Sequence, residues 1–248
     1  MVRVQGLPAP DTIDFVVPEG QICLVTDDGT DLTIELVRRL VQRGWPVAVL
    51  GIGMPSARIA GSADRRGLPD GVAYEVVREV EEQLLAEALG TVRNQLGDIG
   101  VCIIIAPREG PGDGSLDLSE RDTLRAAFLV AKDLRPSLIR TAQSGNASFI
   151  TVTAIDGELG LSGWSGRAPL AGGLAGLTKT LRLEWPEVFC RAVDLDPELD
   201  AACGAELILG ELLDPNRLIA EVGHGPRGRV TLVAERGRPN DLAEGERW

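Results

Sequence analysis

Short, wholly apolar runs alternate with amphipathic helical patterns along almost the entire chain, and this alternation most limits the possible folds. Gln21-Ile22-Cys23-Leu24-Val25-Thr26 is the first run. Leu32, Leu36, Val37, Leu40 and Val41 follow at spacings of three and four, which is one face of a helix. Gly44 ends that helix, and Pro46-Val47-Ala48-Val49-Leu50 is the next run. Val72-Ala73-Tyr74-Glu75 reads as a short third strand, and Val77, Val80, Leu84 and Leu89 as the next helix. Val101-Cys102-Ile103-Ile104-Ile105, Ser148–Thr153 and Val188–Leu195 are further strands. Helical faces lie between them: Leu124, Phe128, Ala131, Leu134 and Leu138, then Leu170, Leu174, Leu177 and Leu181, stopped near Trp185-Pro186. Ala201–Leu213 is a last helix, and Leu218–Val222 and Arg229–Val233 close the pattern. Strands apolar on both sides must be covered on both sides. The pattern therefore predicts an α/β, Rossmann-like, doubly wound and predominantly parallel sheet with helices on both faces. Residues 1–234 read as one such domain, and 235–248 as a polar tail or linker.

Charge narrows the function. The net charge of −12 repels phosphate backbones and anionic lipid, so neither nucleic acid nor membrane is an expected partner. No apolar run is long enough to cross a bilayer, and Met1–Gln5 lacks the pattern of a signal peptide. A cytoplasmic location is expected. The cysteines Cys23, Cys102, Cys190 and Cys203 form no Cys-x-x-Cys pair, and His224 is the only histidine, so no metal site is expected. Cys23, Cys102 and Cys190 read as small core residues.

In a fold of this kind the first strand-to-helix turn cradles a dinucleotide pyrophosphate on backbone N–H groups, and glycines allow the close approach. Here the turn is Thr26-Asp27-Asp28-Gly29-Thr30-Asp31-Leu32, with one glycine and three aspartates. One carboxylate about 4 Å from a phosphate charge costs roughly 4 kcal/mol at a surface-like dielectric. A helix terminus returns only about 0.3–2 kcal/mol. Helix capping by Asp28 or Thr30 is the better reading, and no cofactor-binding residue is assigned.

Short-chain reductases use a tyrosine as general acid, with a lysine four residues on along the helix after the fifth strand. Tyr74 is the only tyrosine; it lies far upstream of that helix, and Arg78 is four residues later. The helix itself reads Ala168-Pro169-Leu170-Ala171-Gly172-Gly173-Leu174-Ala175-Gly176-Leu177-Thr178-Lys179-Thr180. Lys132 and Lys179 are the chain's lysines, and each reads as a solvated surface group. His224, in a turn between two strands, is expected to face solvent. Ser162 lacks the glycine two positions before it that a nucleophile elbow needs, and Asp156 and Glu158 read as loop polarity. No catalytic residue is assigned.

The segment Gly172–Pro197, Gly-Gly-Leu-Ala-Gly-Leu-Thr-Lys-Thr-Leu-Arg-Leu-Glu-Trp-Pro-Glu-Val-Phe-Cys-Arg-Ala-Val-Asp-Leu-Asp-Pro, carries a resemblance. It is similar to the structural, non-catalytic subdomain of short-chain dehydrogenase/reductase-like ketoreductases. Type I polyketide synthases and polyunsaturated fatty acid synthases contain such ketoreductases, and the latter branch is nearer. Phe128–Leu134, Phe149–Gly157, Glu221–Gly223 and Arg229–Leu232 resemble its other pieces in order. The resemblance implies a half that lost its cofactor and catalytic groups and supports a second half. That second half holds NADPH and reduces a β-ketoacyl group on a carrier protein. The expected partners are thus a catalytic ketoreductase half, beyond Trp248 or on another chain, or neighbouring synthase domains. Two other readings stand beside it: a self-sufficient NADPH-dependent reductase with an atypical acid such as His224 or Lys179, and a binding module for a carrier protein or synthase domain. A supporting half should also expose apolar surface when alone. Leu218–Val222, Val230–Ala234 and Ile13–Val17 are the expected contributors, one of them as a sheet edge.

Overall fold

A computed structural model describes residues 2–13, 15, 17–53, 67–107, 118–162 and 170–235. They form one nine-stranded sheet. In chain order its strands are β1 (Val2–Gly6), β2 (Gln21–Asp27), β3 (Val47–Ile52), β4 (Ala73–Val77), β5 (Asp98–Ile105), β6 (Ser148–Thr153), β7 (Phe189–Leu195), β8 (Glu221–Gly225) and β9 (Gly228–Ala234). The helices are α1 (Asp31–Gln42), α2 (Glu82–Leu96), α3 (Leu118–Ser144), α4 (Ala171–Glu184) and α5 (Ala201–Leu213). The strand order is β1-β9-β8-β7-β6-β5-β2-β3-β4. All pairs from β4 to β8 are parallel, and β9 and β1 add an antiparallel edge. The order reverses between β2 and β5, so the crevice at their carboxyl ends is where this architecture takes ligands.

The apolar runs are buried on both faces, as alternation of side chains along a strand requires. Ile22 and Leu24 of β2 join Cys102, Phe149 and the buried faces of α2, α3 and α4. Cys23 and Val25 point the other way, into a layer with Ile103, Val152 and helices α1 and α5. Trp185 closes the first layer, edge-on to Phe149 with ring centroids 6.1 Å apart.

Several boundaries differ from expectation. β4 runs on to Val77, and α2 starts only at Glu82, so Val77 and Val80 belong to the strand end and the turn rather than to a helix. Leu218 lies outside any strand and is 87% exposed, because β8 begins at Glu221. Val2–Gly6 was not anticipated as a strand. It pairs with β9 in the register Val2↔Ala234 to Gly6↔Val230, and so takes the sheet edge. One of the three segments is expected at an edge; β8 and β9, which hold two of them, instead have neighbours on both sides, and Ile13 donates its N–H to Leu213 O. Ile13 is exposed and Leu232 and Val233 half-exposed, whereas Val17, Val222 and Val230 are buried within this chain. Asp14, Val16 and the tail from residue 236 onward lie outside the described residues.

Candidate functional site

In the β2–α1 turn, two of the three aspartates, Asp27 and Asp28, take hydrogen bonds from the turn itself. Thr30 is the N-cap of α1: its φ is −117°, and its Oγ1 accepts from Leu32 N at 3.2 Å. Gly29, at φ 77°, turns the chain and donates its N–H to Asp27 Oδ1 at 2.8 Å. Thr30 N donates to Asp28 Oδ1 at 3.0 Å, and Thr30 Oγ1 donates to Asp28 Oδ2 at 2.6 Å. Thr33 Oγ1 donates to Asp28 Oδ1 at 2.7 Å and accepts from Asp28 N at 3.1 Å. Asp28 is buried. The chain's own carboxylates therefore take the amides that would otherwise face a bound anion, and they take them where the helix dipole favours negative charge.

Tyr74 lies on β4, and its hydroxyl donates to Asp27 Oδ2 at 2.7 Å. The only phenol is thus held at the first turn, away from α4. On α4, Thr178 is buried, donates to Leu174 O at 2.9 Å and lies 2.7 Å from Thr151 Oγ1 of β6. Lys179 pairs with Glu221 at 2.7 Å, and Lys132 with Glu82 at 2.7 Å, both at the surface as expected. Ser162 Oγ donates to Asp156 Oδ2 at 2.7 Å; residues 163–169, the remainder of that loop, lie outside the description.

Two expectations are corrected. His224 is not solvent-exposed. It sits in β8 at 6% exposure, with Nε2 2.9 Å from Glu211 Oε1. The turn begins two residues later, at Pro226, and the histidine points inward to a buried network. Arg191 of β7 reaches Glu211 Oε2 at 2.8 Å and Asp214 Oδ2 at 3.2 Å. Arg229 of β9 reaches Glu211 at 2.7 and 2.9 Å, contacts Asp214, and donates to Pro8 O at 2.9 Å. Burial would raise the Glu211 carboxyl, but the hydrogen bonds of His224 and Arg229 and the charges of Arg191 and Arg229 outweigh it. The result is a pKa of about 2.

Asp156 and Glu158 are more than loop polarity. Asp156 accepts from the N–H groups of Glu158, Gly160 and Ser162 at 2.8–2.9 Å. Glu158 is 3% exposed, and the Arg227 hydrogen bonds hold its carboxyl below the usual range. Asp194, buried at the end of β7, accepts from Thr153 Oγ1, Ile155 N and Leu159 N at 2.9, 2.8 and 3.0 Å. Burial nevertheless pushes its carboxyl up. The loop after β6 is thus fastened at its base by Asp194 and internally by Asp156. Among the described residues no group of three or more His, Cys, Asp or Glu could hold a metal ion, and no helix is long and apolar enough to cross a membrane.

The sheet order and two-sided helical cover define a Rossmann-like fold. A short-chain oxidoreductase from Clostridium thermocellum superposes with a TM-score of 0.56 at 18% identity, over 71% of this chain and 72% of that one. A variant of the actinorhodin polyketide ketoreductase, solved with NADPH, superposes with a TM-score of 0.59 at 15% identity, over 82% of this chain and 94% of that one. In sequence the chain is similar to a polyunsaturated fatty acid synthase polypeptide from Thraustochytrium sp., at 30% identity over 245 residues. That match spans 96% of this chain but only 8% of the synthase polypeptide. No family model matches the chain.

Proposed function

We propose that this chain is the non-catalytic, structural half of a ketoreductase, and that it supports an NADPH-dependent half in a synthase of polyketide or polyunsaturated fatty acids. Residues 1–234 act in this reading as one unit, 235–248 as a tail, and the complex works in the cytoplasm. One observation carries the proposal. Asp27 and Asp28 occupy the amide donors of the first turn, and Tyr74, the sole phenol, is tied to Asp27 instead of standing on α4. A pyrophosphate entering there would have to displace hydrogen bonds already made to carboxylates and then sit beside their charge. The similarity to one segment of a synthase polypeptide supports the same reading. Ile13 and Leu218, exposed here, offer apolar contact to the partner half.

The test is a titration of the chain with NADPH, followed by nicotinamide fluorescence and by quenching of the tryptophans. The expected outcome is no saturation up to millimolar cofactor. A Kd below about 100 µM, roughly 5.5 kcal/mol of binding free energy, would overturn the proposal in favour of a self-sufficient reductase.

A further inference from the structure

The outer line of α3 is a run of exposed cations in an acidic chain. Arg121, Arg125, Phe128, Lys132 and Arg135 are all exposed, and they follow one another at spacings of four, three, four and three. That spacing keeps them on one stripe of the helix, about 21 Å long at 1.5 Å per residue. Four cations and no carboxylate fall on this stripe, in a chain of net charge −12. Among the described residues Arg121, Arg125 and Arg135 have no ion pair, and the Lys132 pair with Glu82 is solvent-exposed on both sides. Asp122 and Asp133 each lie one position off the stripe, half-buried, and Asp133 is taken by Arg93. Phe128, at the centre, is 55% exposed.

The helix itself gains nothing from this arrangement. Arg121 lies in the first turn, where the helix dipole disfavours a cation, and Arg121 and Arg125 are like charges at i and i+4. A basic line with an exposed aromatic at its middle is what a docking face for an acidic surface looks like: charge for steering and register, an apolar anchor for residence. A second copy of this chain is disfavoured, because a two-fold contact through this face would set the cations against themselves.

We infer that the exposed face of α3 docks an acidic helical protein surface, with Phe128 as its anchor and Arg121, Arg125, Lys132 and Arg135 as its charged guides. The inference rests on the synthase reading above, which makes the partner another domain of the same assembly. The surface, unlike the whole chain, suits an acidic partner.

The probe is a purified acyl carrier domain, a small, helical and acidic protein, labelled and titrated with the intact chain at low and high salt. Saturable binding is expected at low salt, weakening steeply as salt rises. The double variant Arg125→Glu/Lys132→Glu should weaken it by about tenfold or more, and Phe128→Ala should weaken it several-fold. Arg78→Glu, at an exposed site off this helix, should leave it unchanged. The substituted side chains are exposed, so an unaltered melting temperature confirms that each variant is folded. The proposal is overturned if the carrier domain does not bind or if Arg78→Glu is as harmful as Arg125→Glu. It is also overturned if polyglutamate, an anionic vesicle or a single-stranded oligonucleotide binds this face more tightly than the carrier domain. NADPH is titrated separately on the same sample. No carrier binding with no NADPH binding sinks the docking face alone, whereas saturable NADPH binding sinks the structural reading beneath it.

Discussion

Glu211→Gln removes the charge at the centre of the buried network while keeping the shape of the side chain. Arg191 and Arg229 are then left with Asp214 as their one buried anion, and His224 loses a carboxylate partner. Breaking a buried pair in this way costs about 3–5 kcal/mol, because an uncompensated charge stays in the interior. Protonation gives an independent figure. The Glu211 carboxyl falls from an ordinary 4.5 to about 2 in the fold. A fall of about 2.5 in pKa, at about 1.4 kcal/mol each, corresponds to ~3–4 kcal/mol. Because the folded value lies below the unfolded one, this stability is present above about pH 4.5 and is lost as pH falls towards 2. At neutral pH the variant should therefore melt roughly 6–20 °C lower, at about 2–4 °C per kcal/mol for a chain of this size. Circular dichroism melts and urea titrations, run from neutral pH down to acid, provide the measurement. The gap between wild type and variant should narrow through the acid window. A loss under about 1 kcal/mol at neutral pH, or a gap that stays constant into acid, would refute the reasoning.

Two further outcomes follow from packing. Gly157 has a φ of 70°, and a Cβ there would lie 2.4 Å from His224 O and 2.7 Å from Gly225 Cα, so Gly157→Ala should cost about 2–4 kcal/mol, read by urea titration. Cys23, Cys102 and Cys190 are buried with their thiols pushed up by burial, Cys190 to about 12, whereas Cys203 is exposed; one thiol should react with an aromatic disulfide reagent in the folded chain and four after denaturation.

The parallel core was legible because its signal is strong. β2, β3, β5, β6 and β7 are buried on both faces, and a strand buried on both faces must be written as a continuous apolar run. β1 escaped because it is only five residues long: Val2-Arg3-Val4-Gln5 alternates, but over too short a stretch to stand out, and the strand is largely exposed and pairs only with β9. The helical spacing of Val77 and Val80 was real, but the chain used it in a strand end and a turn. The glycines beside His224 suggest a turn there, but the strand runs on to Gly225 and the turn begins two residues later, at Pro226. The buried network did leave a trace in the sequence. Arg191 interrupts the apolar run Phe189–Leu195, and Glu211 interrupts Leu207–Leu213, and a charge inside an apolar run must find a partner. The cap of α1 was legible for a different reason: Asp27, Asp28, Thr30 and Asp31 are residues that favour a helix start, and Thr30 is the N-cap. Which amides they would take was not.

Perturbed ionisable groups often mark active sites, because catalysis needs them poised against a substrate. Among the described residues, three perturbed carboxyls have their partners within the chain. Asp194, raised by burial, is committed to Thr153, Ile155 and Leu159. Glu211, lowered, is committed to Arg191, His224 and Arg229. Glu158, lowered, is committed to Arg227. Each of these contacts ties together pieces of chain far apart in sequence: β7 to the loop after β6, α5 to β7, β8 and β9, and that same loop to the β8–β9 turn. Cross-links of this kind hold these pieces of the sheet and its loops together. A Rossmann-like fold tied together in this way is suited to presenting rigid surfaces, and the basic stripe on α3 is a surface on which exposed cations line up.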